Sequence, residues 1–348
     1  MIDSADGAWC IHVDTGGTFT DCIAESPDGR TVRNKTLSRG SLPASVAKVC
    51  ARDVLILDAH WDSPDDFSVG FTVCFPSHPE NLVEVAAYEA NARRLTLTEA
   101  LPFVPEVGEP LELDSGMEAP VLATNLVLAN EGLDISSVNL SLRLATTRCT
   151  NALLEGKGVS PVFFVTRGFR DLLRIGDQRR LGLFDLCPRT REPLHGEVIE
   201  VCERLDRNGE VIEPIDLGDV REQLRTLPVD TGKVAAVSLL HSYANPSHEE
   251  ILAEFLRSEG FSIVIESSVL HPFVKWLPRA ESTVIEAYLT PVLKQYLDDV
   301  SACIDRGALR VMTRAGGLVG KNDYRSVDSL LSGPAGGVVG AATVAERA

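Results

Sequence analysis

Basic side chains are scarce in this sequence. Its 33 Lys and Arg stand against 50 Asp and Glu, a net charge of −17 over 348 residues. Such a field repels nucleic acid and anionic membranes, and it argues against both as partners. A local basic pocket for a small anion stays open. Long apolar runs are missing as well. No stretch approaches the roughly 18 apolar residues of a membrane span. The N-terminal MIDSADGAWC has neither the basic region nor the apolar core of a secretory signal. The eight cysteines include no CxxC pair, so the paired-cysteine zinc spacings are missing. Most, like Cys74 in FTVCF, lie in apolar surroundings and read as buried thiols in a reducing, cytoplasmic compartment. There is no internal repeat and no low-complexity linker. G-x-x-x-x-G-K-[ST], a helix-opening G-x-G-x-x-G, G-x-S-x-G and a Ser-His-Asp order are all absent.

What is present is enough apolar material for a core, 44% hydrophobic residues, in a length that fits two or three domains. Residues 9–13, 19–24 and 31–37 read as short strands, with Ser26-Pro27-Asp28-Gly29 as the turn between the last two. The turn between the first two is Thr15-Gly16-Gly17-Thr18. Glycines there allow positive φ and leave no side chain in the way. Successive amides then converge on one concavity that suits an anion, and the threonine hydroxyls add donors. Asp14 ends the first strand and is placed to face a phosphate-bound Mg2+ through water. Asp21 lies seven residues on. A Gly-Gly pair between strands is otherwise an ordinary hairpin turn, but a plain hairpin needs none of Asp14, Thr15, Thr18, Thr20 or Asp21.

Further along, VGFTVCF and ARRLTLTEA read as strands. Ser115 and Glu118 have capping-box spacing ahead of a helix over 118–130, and a strand follows over 137–146. From 146 the pattern alternates. Helices are expected over 146–158, 168–176, 246–260 and 279–304, the last with Pro291 inside it. Strands are expected over 161–166, 234–243 and 261–269, then a strand running into a glycine turn over 309–320, and the chain ends in a glycine-rich lead into a small-residue helix. The alternation argues for an α/β architecture with a mixed sheet.

Several other residues carry a functional and a structural reading side by side. Arg167, Arg170, Arg174, Arg179, Arg180, Arg189 and Arg191 crowd one segment and suit an acidic substrate or a partner. Asp171, Asp177 and Asp185 are there to neutralise them as a solvated face. Thr146, Thr147, Thr150 and Asn151 serve either as a helix cap or as groups near a cleft. Cys149 is a candidate nucleophile or a packed thiol. His241 and His248 flank a turn without a carboxylate at ligand spacing and read as loop and cap residues. His12 reads as packed within its strand. Glu281 and Glu286 are five apart, off a shared helix face.

DTGGTFTD at 14–21 resembles the first phosphate motif of the hydantoinase/5-oxoprolinase family. The likeness continues in order through TTRCTNALLEGKG (146–158), VTRGFRDLLRIGDQ (165–178), ERLDRNGEV (203–211), VSLLHSYANPSHEE (237–250), PRAESTVIEAYLTPVLKQYL (278–297) and LLSGPAGGVVGA (330–341). The resemblance implies an α/β fold, a ribonuclease-H-like lobe of the actin, sugar-kinase and heat-shock-chaperone ATPases, with a mixed sheet flanked by helices plus an inserted α+β segment. It divides the chain into a phosphate-loop hairpin (1–40), the insert (41–145), the rest of the family's N-terminal region (146–200) and the start of its A domain (201–348). It implies an ATP-dependent hydrolase opening a cyclic amide, 5-oxoproline or a hydantoin, by phosphorylating the lactam or imide oxygen, with Mg2+ and a monovalent cation. Asp14 and Asp21 would be catalytic, Asp14 also facing the metal. Thr15, Gly16, Gly17, Thr18, Gly333, Gly336 and Gly337 would bind the nucleotide, and Thr147, Asn151, Arg167 and Arg174 the substrate. A subunit of an acetone- or acetophenone-type carboxylase and a non-catalytic family remnant are the alternatives. The family's second phosphate motif has no match before Ala348, so the opposite lobe, or a hydantoinase B-type subunit, is expected as partner.

Overall fold

In this computed structural model residues 7–179, 184, 192–228, 233–304 and 306–347 are described. Arg180, Asp185, Cys187, Arg189 and Arg191 lie outside them. The chain forms two compact units. The first comprises Met1–Asn151, Gln295–Tyr324 and Asp328–Ala348, the second Ala152–Lys294 and Arg325–Val327.

Strands β1 (Trp9–Thr15), β2 (Phe19–Glu25) and β3 (Thr31–Leu37) form an antiparallel meander in the first unit. Exposed and buried residues alternate without exception along β2, as in a strand with one face on a core. Gly29, at φ +86°, donates its amide to the Ser26 carbonyl and closes the β2–β3 turn as expected.

The 41–145 segment divides in the structure. Strands β4 (Ser41–Ala51), β5 (Val54–Ala59), β6 (Thr72–Phe75), β7 (His78–Glu89), β8 (Arg94–Leu97) and β9 (Pro110–Asp114) are antiparallel in the order β4-β5-β8-β7-β6-β9, and β9 pairs back onto β4. These six strands form a closed barrel. Its interior is filled by Leu42, Leu55, Val73, Phe75, Leu95 and Leu113 among others. Closure leaves no open sheet edge. The helix of this segment, α1 (Ala119–Asn130), packs on β1, β2 and β3, where Asn34 Nδ2 donates to the Ala123 carbonyl at 2.7 Å. The capping box does not form. Glu118 is the cap residue without a side-chain bond, and Ser115 Oγ donates instead to the Gly40 carbonyl at 2.6 Å. Then β10 (Leu140–Thr146) pairs in parallel with β1 and leads into α2 (Arg148–Leu154).

The second unit holds a parallel sheet in the order β12-β11-β15-β16, from β11 (Val162–Thr166), β12 (Val198–Val201), β15 (Val234–Ser238) and β16 (Ile263–Glu266). Every residue of β11 and β15 is buried, as parallel strands covered on both faces require. The helix expected over 168–176 is the single turn α3 (Leu172–Ile175), because Gly168 and Gly176 both take positive φ and bracket it. A small hairpin, β13 (Arg204–Leu205) and β14 (Val211–Glu213), precedes α4 (Leu217–Arg225) and α5 (Ser247–Ser258). The strand expected over 261–269 stops at Glu266 and becomes α6 (Ser267–Leu270). The long helix α7 (Trp276–Ala302) continues through Pro291.

Back in the first unit, β17 (Gly307–Met312) pairs in parallel with β10, and β18 (Leu318–Gly320) folds back on it through a turn with Gly316 at φ +80°. The strand expected to run into a glycine turn does so, and β18 extends it into a hairpin. The short α8 (Ser326–Ser329) and α9 (Ser332–Arg347) complete the chain. The mixed sheet reads β18-β17-β10-β1-β2-β3, with the barrel continuing from β3. No helix among the described residues is long and apolar enough to cross a membrane.

Gly40 joins the lobe to the barrel at φ +83°, and a Cβ there would collide with the Met117 carbonyl. Gly40→Ala should therefore cost about 2–4 kcal/mol, from left-handed backbone strain plus overpacking. Urea unfolding measures it, and a cost under about 1 kcal/mol would contradict the close approach.

Candidate functional site

The β1–β2 turn is the centre of the candidate site. Gly16 N donates to the Phe19 carbonyl at 3.0 Å. Neither Gly16 nor Gly17 has a positive φ, so left-handed backbone is not the reason for glycine here. Space is. A Cβ on Gly16 would press on the Phe19 oxygen at 3.2 Å, and one on Gly17 would enter the space before Asn151 Nδ2, 4.0 Å away. Among the described residues the Gly17 and Thr18 amides have no main-chain partner. They are exposed donors beside each other, the arrangement that favours an anion.

Thr15 anchors this turn. Its carbonyl accepts from Thr147 N at 3.0 Å and from Thr147 Oγ1 at 3.2 Å. Asn151 Nδ2 donates in turn to Thr147 Oγ1 at 3.3 Å, and Asn151 N to the Thr147 carbonyl. Thr147 and Asn151 therefore act as a helix start and also stand beside the glycine turn. Ser332 Oγ donates to the Thr146 carbonyl at 3.3 Å, which ties the start of α9 to the end of β10. Gly333, Gly336 and Gly337 lie within the first turns of that helix, where a Cβ would meet nothing. The turn, Thr147, Asn151 and Ser332 thus gather at the carboxyl ends of the parallel pair β1 and β10, the end of such sheets where ligands bind.

Asp14 and Asp21 face each other in register across β1 and β2. Lys35 Nζ pairs with Asp21 Oδ1 at 2.9 Å, so Asp21 already has a counter-ion. Asp14 has no ion pair among the described residues. Its side chain reaches solvent, yet enough protein surrounds it that burial, and then the facing Asp21, hold its carboxyl above the ordinary 3.8. A divalent cation would relieve both effects, so Asp14 fits a water-mediated Mg2+ contact. Thr20 is buried against Ser38 Oγ at 3.1 Å and belongs to the packing. Cys149 is fully buried at the start of α2, a packed thiol rather than an exposed nucleophile.

Residues 118–260 match the family model for the hydantoinase/oxoprolinase N-terminal region, and residues 279–348 match that for hydantoinase/oxoprolinase. The chain belongs to the hydantoinase/oxoprolinase family. It is 39% identical over 238 residues to the 5-oxoprolinase of Saccharomyces cerevisiae, covering 60% of this chain and 18% of that protein. In fold it is similar to nucleotide-free acetone carboxylase, with a TM-score of 0.65 at 22% identity, over 97% of this chain and 40% of the other. It also resembles the ATP-dependent caprolactamase of Pseudomonas jessenii, with a TM-score of 0.57 at 20% identity, over 94% and 39%. The chain spans about a fifth of the length of the curated relatives it matches.

The other residues expected at a site in this hydantoinase/oxoprolinase chain lie in the second unit. Arg167 pairs with Asp219 at 3.4 Å. Arg170 and Arg174 line a cavity of about 230 Å³ with Asp171, Glu192 and His195. Arg179 pairs with Asp177 at 2.9 Å. The segment therefore combines a paired face with one arginine-lined hollow.

Beneath it runs a buried polar network that the one-dimensional reading missed. His248 Nδ1 lies 2.7 Å from Glu203 Oε2, and Thr166 Oγ1 donates to Glu203 Oε1. Glu249 accepts from the Leu239 and Ser268 amides, both at 2.8 Å, and from Ser267 Oγ at 2.6 Å. Arg279 Nη2 donates to the Leu239 carbonyl at 2.6 Å, and burial lowers its pKa. His248 is thus neither loop residue nor metal ligand but half of a buried pair. The available signal was that Glu203, His248, Glu249 and Arg279 all fall in the family-like stretches.

His248→Ala should destabilise the chain by about 3–5 kcal/mol, because it leaves a buried Glu203 oxygen without its partner. Urea unfolding would show it, and a loss below about 1 kcal/mol would mean the pair carries no weight. Asp14 leads to a pH prediction. A carboxyl raised in the folded chain costs stability as pH climbs from the ordinary value through the raised one. Asp14→Asn should then melt higher than wild type at pH 7 and level with it at pH 3. A lower melting temperature for the variant at pH 7 would reverse the assignment.

Proposed function

We propose that this chain is the N-terminal part of an ATP-dependent cyclic-amide hydrolase of 5-oxoprolinase or hydantoinase type, with Thr15-Gly16-Gly17-Thr18 as its first phosphate loop. The observation that carries the reading is the turn itself. Two unpartnered amides, at Gly17 and Thr18, stand next to a carboxylate held above its ordinary pKa. The mixed sheet around β1 supports a ribonuclease-H-like, actin-type ATPase lobe. Family membership supports the substrate class.

In this reading the Gly17 and Thr18 amides and the Thr18 hydroxyl donate to phosphate oxygens. Asp14 orients a water of the Mg2+ shell. Asp21, neutralised by Lys35, keeps the β1–β2 ladder from carrying two free charges. Thr147 holds the Thr15 carbonyl, and Asn151 turns its amide toward the space over Gly17. The glycines at the start of α9 keep that helix end free of side chains. Bound Mg-ATP supplies the phosphoryl group that activates the ring oxygen, together with a charge that offsets the phosphates. Arg167 and Arg174 offer cationic contacts to a substrate carboxylate or ring carbonyl. Positioning and charge stabilisation dominate phosphoryl transfer, which takes charge-stabilising groups on both sides of the phosphates. A second lobe, or a hydantoinase B-type subunit, completes the set, and a monovalent cation is part of the expected chemistry. The similarity to acetone carboxylase favours one rival, a carboxylase subunit on the same scaffold.

Phosphate release separates the two. With the partner lobe or subunit present, 5-oxoproline or a hydantoin should stimulate release, and ketones with bicarbonate should not. The reverse pattern selects the carboxylase, and silence with every substrate removes the enzymatic reading. In calorimetry, Asp14→Ala should weaken Mg-ATP binding by at least about tenfold, the scale of losing a group that orients a metal's water shell, with its circular dichroism unchanged. Undiminished binding would remove the phosphate-loop assignment.

A further inference from the structure

The parallel sheet of the second unit ends at β16, which pairs with β15 and with no other strand among the described residues. A parallel strand turns alternate amides and carbonyls to its neighbour and the rest away. The outer edge of Ile263–Glu266 therefore carries unused main-chain groups. Outside the β15 ladder, the one backbone contact to β16 among the described residues is Ile263 N to the Lys233 carbonyl, at 3.4 Å.

Helices cover the two faces of this strand but not its edge. Val264 packs on the cluster that holds Leu252, Phe255 and Leu256 of α5. Ile263 and Ile265 pack on the opposite cluster, with Ala280, Val284 and Ala287 of α7. Between the helices lies a groove of about 240 Å³, lined by Val264, Ile265 and Glu266 of the strand, by Val269 and Leu270 of α6, and by Arg325. Val264 and Ile265 point to opposite faces, so a cavity that both line opens on the strand's edge.

The charged groups of the groove are settled except for one. Arg257 pairs with Glu266 at 2.7 Å. Glu286 accepts from the Ser326 and Val327 amides at 2.9 and 2.7 Å. Arg325 Nη1 donates to the Leu270 carbonyl at 2.9 Å, which fixes the guanidinium beside α6, and Arg325 has no ion pair among the described residues. Val269 is 61% exposed on the rim. Native edge strands are ordinarily blunted by charge, by a bulge or by a covering loop. This one instead presents apolar side chains and an unpaired cation.

We infer that the outer edge of β16 is a docking site for an extended protein segment, which adds to the sheet as a further strand, with an apolar side chain against Val269 and Leu270 and a carboxylate on Arg325. Main-chain hydrogen bonds supply affinity in this mode of recognition, and the side-chain positions supply selectivity. The four residues of β16 offer about 13 Å of edge, enough for a partner strand of similar length. The flanking helices favour a lone extended segment over the sheet edge of a second copy. Nothing in this docking depends on the phosphate loop.

A phage-displayed heptapeptide library, panned against the chain, is the probe. It should enrich peptides with alternating apolar residues and an Asp or Glu. One enriched peptide, labelled with fluorescein, is then titrated by fluorescence polarisation against wild type, Arg325→Gln and Val269→Lys. Each variant should raise Kd roughly tenfold, the scale of one charge-assisted hydrogen bond or one buried apolar contact, at an unchanged melting temperature. Single N-methylation along the peptide should weaken binding at every second amide and spare those between, because a strand turns only alternate amides to its neighbour. An empty selection, or a peptide that binds both variants like wild type, overturns the inference. Equal tolerance of N-methyl groups at all positions also overturns it, since side-chain adhesion alone behaves that way. A peptide-free dimer that Val269→Lys dissolves would give the edge to a second copy and overturn it too.

Discussion

The Thr15 carbonyl accepts both the amide and the hydroxyl of Thr147. This joint is where the antiparallel hairpin and the parallel half of the mixed sheet are locked together, at the residue that begins the glycine turn. Because β1 pairs with β2 on one side and β10 on the other, the turn has no freedom to tilt with either strand alone. Unpartnered amides are useful to an anion only when their direction is set beforehand. Here that direction comes from strands more than a hundred residues apart in sequence.

The same logic explains what the glycines do. With ordinary negative φ at both, the turn would accept other residues on backbone grounds alone. At Gly16 the Phe19 oxygen leaves a Cβ little room, and at Gly17 a Cβ would only come into ordinary contact with Asn151 Nδ2. Glycine serves as an absence of side chain at the place where another molecule's oxygen atoms would approach the backbone. Asp14 supplies the matching negative group at the rim, and Lys35 removes the competing charge of Asp21.

The second unit shows the opposite strategy. Its parallel sheet is buried on both faces, and charge enters only where every oxygen and nearly every nitrogen is spoken for, as at Glu203, Glu249 and Arg279. Such groups contribute little net stability against apolar replacements, but breaking one alone is expensive. They tie strand ends to helix starts: Glu249 bonds the exit of β15 and the start of α6, and Arg279 holds the same exit from α7. The barrel needs no such device, because closure already satisfies its strand edges.

By itself, the sequence determined the strand–glycine–strand start, the helices α1, α5 and α7, the buried strands β11 and β15, and the family. These are set by local chemistry, namely alternation, helical spacing, continuous apolar runs and motif order. It also placed Asp14, Thr147 and Asn151 among the residues worth watching. Only the tertiary structure decided that 41–114 closes into a barrel, since closure is a long-range pairing of β4 with β9 that no local pattern contains. It also decided that a carboxylate at 203 meets an imidazole at 248 and that the helix at 332 is tied to the end of β10. Each of these joins residues far apart in the chain, and their direction and burial arise from packing rather than from neighbours in sequence.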